Sequence, residues 1–264
     1  MSDTMTTMPR ASGPIINTIY RDRPWAWLAQ GWRDLMAAPG VGLVWGLVFA
    51  LIGVVLTVLS WVYQVYYLTY PLMAAFLLFG PIVAVGLYDT SRRLAAGEPV
   101  SFGTSVAALR TNTTQILLMG VVLLLISIAW VRLASLLFML FFFEFNAAPE
   151  PMSMLQALIS VEAIPFLIVG NAIGAVLALF TFAVSAISIP LLLDRPNTHV
   201  MTAVITSWRA VAENFWTMLL WAWLIAIFIG VGLVTGFIGL IITLPLIGHA
   251  SWAAYKDLVT WPDE

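Results

Sequence analysis

Hydrophobic and polar positions fall into long separate blocks along this chain instead of alternating. Residues 35–88 form 54 consecutive positions without Lys, Arg, Asp, Glu or His, and residues 163–193 form another 31. Between Asn214 and Tyr255 only His249 can carry charge. Such blocks offer water no polar face, whereas about 20 apolar helical residues cross a hydrocarbon core of roughly 30 Å. They predict membrane helices. The first block is too long for one crossing, and its Tyr-rich segment Tyr63 to Pro71 suits an interfacial turn. Gly230, Gly232, Gly236 and Gly239 divide the last block. The predicted spans are therefore 41–62, 71–88, 115–131, 165–192, 215–231 and 237–255. The fold class is all-α, a polytopic membrane protein of six helices.

The segments ahead of spans one, three and five carry a helical period. Trp25, Leu28, Trp32, Leu35 and Met36 share one face behind Pro24, and Val200, Val204, Trp208 and Val211 share one behind an Asn197 or Thr198 cap. Amphipathic helices of this kind lie in the interface with Trp at headgroup depth. The segments also resemble one another. Thr104, Ser105, Ala108 and Asn112 match Thr206, Ser207, Ala210 and Asn214 at an offset of 102. Trp32-Arg33 and Trp45 match Trp208-Arg209 and Trp221 at an offset of 176. The expected unit is an interfacial helix followed by a two-span hairpin, repeated in parallel over about 24–94, 98–195 and 197–258. Residues 1–23 and 259–264 read as cytoplasmic tails, the first one flexible. In the middle unit Leu133–Phe143 reads as too short to span, Asn146–Pro151 as a turn, and Ser153 as the cap of a short helix reaching Val161.

Charge orients the spans. Arg10, Arg21, Arg23, Arg33, Arg92, Arg93, Arg110, Arg195, Arg209 and Lys256 fall on one side of a six-span arrangement, and Arg132 falls on the other. Basic residues are retained in the cytoplasm, so both termini are expected there, with the chain in an inner (plasma) membrane. The first 20 residues lack the apolar core of a secretory signal, so the first span is expected to act as its own insertion signal. Composition agrees: 62% of residues are hydrophobic and 9% charged. A net charge of −2 argues for no nucleic acid, and with no Cys there is neither a disulfide nor a thiolate site.

Candidate chemistry is sparse. Arg132, Asn171 and His249 are the polar groups that could form an intramembrane site. Each also has a plain structural reading: Arg132 at the outer boundary, Asn171 in an inter-helix hydrogen bond, and His249 as a neutral imidazole bonded to a neighbouring helix. The two His, His199 and His249, lie at different depths and make no haem or copper set. Gly42/Gly46, Gly170/Gly174 and Gly232/Gly236 have the spacing for close helix approach, and Pro81, Pro190 and Pro245 place one kink in each hairpin. No catalytic set, cofactor site or metal site is read, so the chain is expected not to be an enzyme. Its expected partners are the lipid bilayer and other membrane-complex subunits. The alternative is a small transporter or lipid-handling protein with a site between the repeats.

Three stretches carry a family resemblance: Gly80-Pro81-Ile82-Val83-Ala84-Val85-Gly86-Leu87-Tyr88-Asp89-Thr90-Ser91-Arg92-Arg93-Leu94, Ser188-Ile189-Pro190-Leu191-Leu192-Leu193-Asp194-Arg195, and Leu244-Pro245 through Lys256-Asp257-Leu258. With Trp130-Val131-Arg132-Leu133-Ala134 between them, the chain resembles the bacterial "domain of unknown function 2189" family of integral membrane proteins from Trp25 to Leu258. The resemblance implies a membrane fold and no defined activity. Some relatives carry a cytochrome c oxidase label, which implies an accessory or assembly role for a respiratory complex.

Overall fold

The computed structural model describes residues 13–65, 69–78, 80–142 and 160–262. The chain order is β1 (Ile15–Ile16), α1 (Arg23–Ala37), α2 (Pro39–Val62), α3 (Thr69–Leu78), α4 (Gly80–Val83), α5 (Val85–Ala96), α6 (Phe102–Ala107), α7 (Thr113–Phe141), α8 (Ile164–Ser185), α9 (Ser188–Asp194), α10 (Val200–Glu213), α11 (Phe215–Val234), α12 (Leu240–Leu258) and β2 (Val259–Thr260). Four stretches are long and apolar enough to cross a membrane: α2, α7, α8 continued by α9, and α11. The other two predicted spans take different forms. The 71–88 region is divided among α3, α4 and α5, and α12 carries Lys256 and Asp257 in its last turn and His249 near its centre. The loop and short helix expected between 143 and 159 lie outside the described residues.

Three of the long helices are entered through a sharp corner. Ala38 (φ −135°, ψ 56°), Asn112 (−139°, 56°) and Asn214 (−118°, 34°) precede α2, α7 and α11 with nearly the same backbone conformation. The Asn112 amide donates to Leu192 O at 3.2 Å and Thr198 O at 3.3 Å. That of Asn214 donates to Asn17 O at 2.9 Å. These bonds satisfy carbonyls beyond the helices' own ladders. α10 begins at His199 without a side-chain cap, in place of the Asn197 or Thr198 cap expected.

α12 is the enclosed helix. Every residue from Thr243 to Ala250 is buried, and α1, α2, α5 and α11 all pack on it. By contrast, 22% of the most apolar stretch of α7 is buried, so most of α7 faces outward. α2 runs alongside α12 through Gly46, where a Cβ would collide with the Ile241 carbonyl and its Cα. Pro245, inside α12, has no N–H to give that carbonyl four residues back, so the bare Gly46 backbone lies against the freed oxygen. Of the other glycines picked out by spacing, Gly42, Gly174 and Gly232 have close neighbours, whereas Gly170 and Gly236 face open space.

The short helices divide their expected stripes: Leu28 and Leu35 of α1 and Val200, Val204 and Val211 of α10 pack on the protein, while the Trp positions turn outward. In α1 the packed side is Trp27, Gly31, Asp34 and Leu35, while Trp25, Trp32 and Met36 point outward. In α10 Ala203, Ser207 and Ala210 pack inward, while Met201, Ile205 and Trp208 point outward. Small side chains allow close docking, and the outward stripes suit lipid at headgroup depth. Part of the region read as a tail is ordered: Ile15-Ile16 pairs antiparallel with Val259-Thr260, bringing the two described ends of the chain side by side.

Candidate functional site: a buried Asp–Ser–His chain

Where α1, α2, α5 and α12 meet, three polar side chains are sealed inside the protein. Gly31 makes this possible on α1, because a Cβ there would come within 2.7 Å of Ala250 N and Leu246 O. With α1 held this close, Asp34, one turn later, faces the bundle. Gly42 does the same on α2, where a Cβ would sit 3.6 Å from His249 Nε2.

The Ser91 hydroxyl on α5 is 2.7 Å from Asp34 Oδ2 and 2.8 Å from His249 Nδ1. Gln30 Nε2 donates to Asp34 Oδ1 at 2.7 Å, and Arg33 Nη2 donates to Gln30 Oε1 at 2.6 Å. A continuous polar chain thus runs Arg33–Gln30–Asp34–Ser91–His249. Exposure falls along it, from 8% at Asp34 through 2% at Ser91 to 0% at His249. One hydroxyl hydrogen cannot serve both neighbours. With Asp34 ionised, Ser91 donates to the carboxylate and accepts from His249 Nδ1–H, leaving Nε2 as a bare acceptor. His249 Nε2 is buried and has no hydrogen-bond partner.

The order of groups decides what the chain can do. A nucleophilic triad places the imidazole between hydroxyl and carboxylate, so that the base takes the hydroxyl proton and the acid orients the base. Here the hydroxyl is in the middle and both of its contacts are occupied. The arrangement does not activate Ser91 for attack; it connects an imidazole to a carboxylate through one exchangeable proton.

Charged pairs surround this centre at the same end of the bundle. Asp257 accepts from Arg23 Nη2 and Trp27 Nε1, both at 2.6 Å, joining α12 to α1. Tyr255 Oη donates to Asp194 Oδ2 at 2.8 Å, joining α12 to α9. Buried Asp89 accepts from Arg92 and Arg93, and this hydrogen bond holds the Arg93 guanidinium above its ordinary range.

The residues singled out from sequence are dispersed. His249 lies in the chain just described. Arg132 is exposed on α7, and the helix continues past it to Phe141. Asn171 is exposed on α8 and donates to Leu167 O of its own helix at 2.6 Å. The hydrogen bonds of His249 reach neither residue, because α12 is walled in by α1, α2, α5 and α11. Asp34 and Ser91 were missed, although Ser91 stands within the quoted Gly80–Leu94 motif. Among the described residues, no group of three or more His, Cys, Asp or Glu is placed to hold a metal ion.

No curated protein and no solved structure matches this chain. A family model does match residues 69–194, from α3 to α9, which takes in Ser91 and stops short of both Asp34 and His249. Over that stretch, just under half of its length, the chain is similar to the family described as predicted integral membrane protein, domain of unknown function 2189 (DUF2189).

Proposed function

We propose that this integral membrane protein is a non-catalytic scaffold that crosses an inner membrane six times as three parallel hairpins, with both termini cytoplasmic, and holds other membrane-complex subunits against its apolar flanks. The observation that carries the reading is the uneven use of polar side chains. Bonds between sections concentrate at the end where the termini pair, while the flanks of α7, α8 and α11 present Leu, Ile, Val, Phe and Trp outward. Such flanks suit lipid or the helices of a partner.

Support for the repeat is cyclic. Gly31, Ser105 and Ser207 occupy matching positions at the offsets found in the sequence, and each is buried against the preceding section. Gly31 meets α12, Ser105 Oγ accepts from Trp45 Nε1 on α2 at 2.9 Å, and Ser207 Oγ accepts from Ile187 N between α8 and α9 at 3.1 Å. The matching Trp45, Met119 and Trp221 are all buried. Support for six crossings comes from length. Arg132 lies 19 residues beyond Thr113, roughly 28 Å along α7, close to one hydrocarbon thickness.

The family resemblance suggests a respiratory complex as the partner, with this chain as accessory or assembly factor. Gentle-detergent purification followed by mass spectrometry tests the reading. Stoichiometric recovery of other membrane subunits is expected. Recovery of the chain alone with one enriched lipid or metabolite would overturn it in favour of a small transporter or lipid-handling protein, the second reading, which the unpartnered His249 Nε2 favours.

A further inference from the structure

We infer that Asp34, Ser91 and His249 form a proton-loading relay, in which a proton bound at His249 Nε2 neutralises the Asp34 carboxylate through the Ser91 hydroxyl. Two contacts and one vacancy in the bonding define it: the 2.7 Å and 2.8 Å hydrogen bonds of Ser91, and the unpartnered Nε2 at the closed end. A purely structural buried histidine has both ring nitrogens satisfied, since an orphaned acceptor in a dry interior costs about 1–3 kcal/mol. Nε2 is the one ring nitrogen of this Asp–Ser–His chain without a hydrogen-bond partner, and the bond it is equipped to form is one to a proton.

The step balances. Hydronium gives a proton to Nε2. His249 Nδ1–H passes its proton to Ser91 Oγ, and the original hydroxyl proton moves to Asp34 Oδ2. Three bonds to hydrogen break, one each at hydronium, Nδ1 and Oγ. Three form, at Nε2, Oγ and Oδ2. The imidazole ends as the Nε2–H tautomer, Asp34 ends as a carboxylic acid, and no charge remains buried on the ring. Avoiding an imidazolium matters at a position with 0% exposure. Gln30 tolerates both states, because its amide still donates to Asp34 Oδ1.

Among the described residues, no other ionisable group competes for the proton. α2 and α11 contain none. On α5, Asp89 is occupied by Arg92 and Arg93. Tyr88 on α5 makes no hydrogen bond to the imidazole among the described residues. On α1, Arg23 pairs with Asp257 and Arg33 bonds Gln30. On α9, Asp194 is held by Tyr255 and Lys256 of α12.

The chain contains only two histidines, which makes the test direct. Protein labelled with 15N-histidine, purified through a tag free of His and placed in nanodiscs, gives two imidazole patterns, and exposed His199 serves as the internal reference. The expected result at neutral pH is an Nδ1–H tautomer for His249. On mild acidification it converts to Nε2–H, together with a new infrared band of a protonated carboxyl. Asp34→Asn keeps an oxygen to accept from Ser91 but removes the proton acceptor. It should abolish both the tautomer change and the carboxyl band while the His199 pattern stays as in the parent protein. Ser91→Ala should uncouple the two groups in the same way. An Nε2–H tautomer at all pH values, direct conversion to imidazolium, or an identical response in Asp34→Asn would each overturn the relay.

Discussion

The end of the bundle where the termini meet and the far flanks of its long helices are built from the same apolar alphabet, yet they are held differently. At the terminal end, α1, α5, α9 and α12 are joined by Asp257–Trp27, Asp34–Ser91–His249 and Tyr255–Asp194, and Thr243 to Ala250 of α12 are buried. On the flanks, the polar side chains serve their own helices, as Asn171 does with Leu167 O and Ser135 with Val131 O. Apolar surface alone does not distinguish a protein neighbour from lipid, because lipid tails are as apolar as Leu. Close backbone approach and polar bonds between helices do, and both concentrate at one end.

The sharpest way to break this contrast is Gly46→Leu, which forces α2 off α12 at the Ile241 carbonyl. A loss of about 3 kcal/mol is expected in reversible unfolding from mixed micelles, whereas Gly170→Ala, facing open space, should change stability by less than about 0.5 kcal/mol. Next, Ser91→Ala strands a buried carboxylate oxygen and the His249 Nδ1 and should cost about 2 kcal/mol in the same assay. Asp257→Ala removes the Arg23 and Trp27 contacts. Because Asp257 is partly exposed, we expect about 1 kcal/mol, with faster hydrogen exchange along α1. Smallest is Arg132→Gln on the exposed face of α7, within about 0.5 kcal/mol. A large loss there would shift the structural weight to the flanks and erase the difference between the two regions.

Much of the helical layout was legible in the charge-free blocks, and α2, α8 with α9, and α11 end within a few residues of the expected bounds. α7 runs ten residues past its expected end at Val131, because a single exposed Arg does not stop a helix and no breaker follows before Phe142. The Trp positions of α1 and α10 face outward, as interfacial helices require, but how closely these helices dock was not legible, because Gly31, Ala203 and Ser207, which make the close protein contact, carry no hydrophobic signal. The Asp–Ser–His chain was invisible because Ser91 lies 57 residues from Asp34 and 158 from His249. His249 alone gave a signal, as an ionisable residue in an apolar block.

α12 is the enclosed helix at the core of the protein. Because the chain has no Cys, single cysteines carrying spin labels can be scanned along residues 243–250 of α12 and, for comparison, at Trp223, Ile227 and Val231 of α11. Collisions with lipid-soluble oxygen are expected to be strong at the three α11 sites and weak throughout 243–250. A helical rise and fall of oxygen accessibility along α12, matching that of α11, would contradict it.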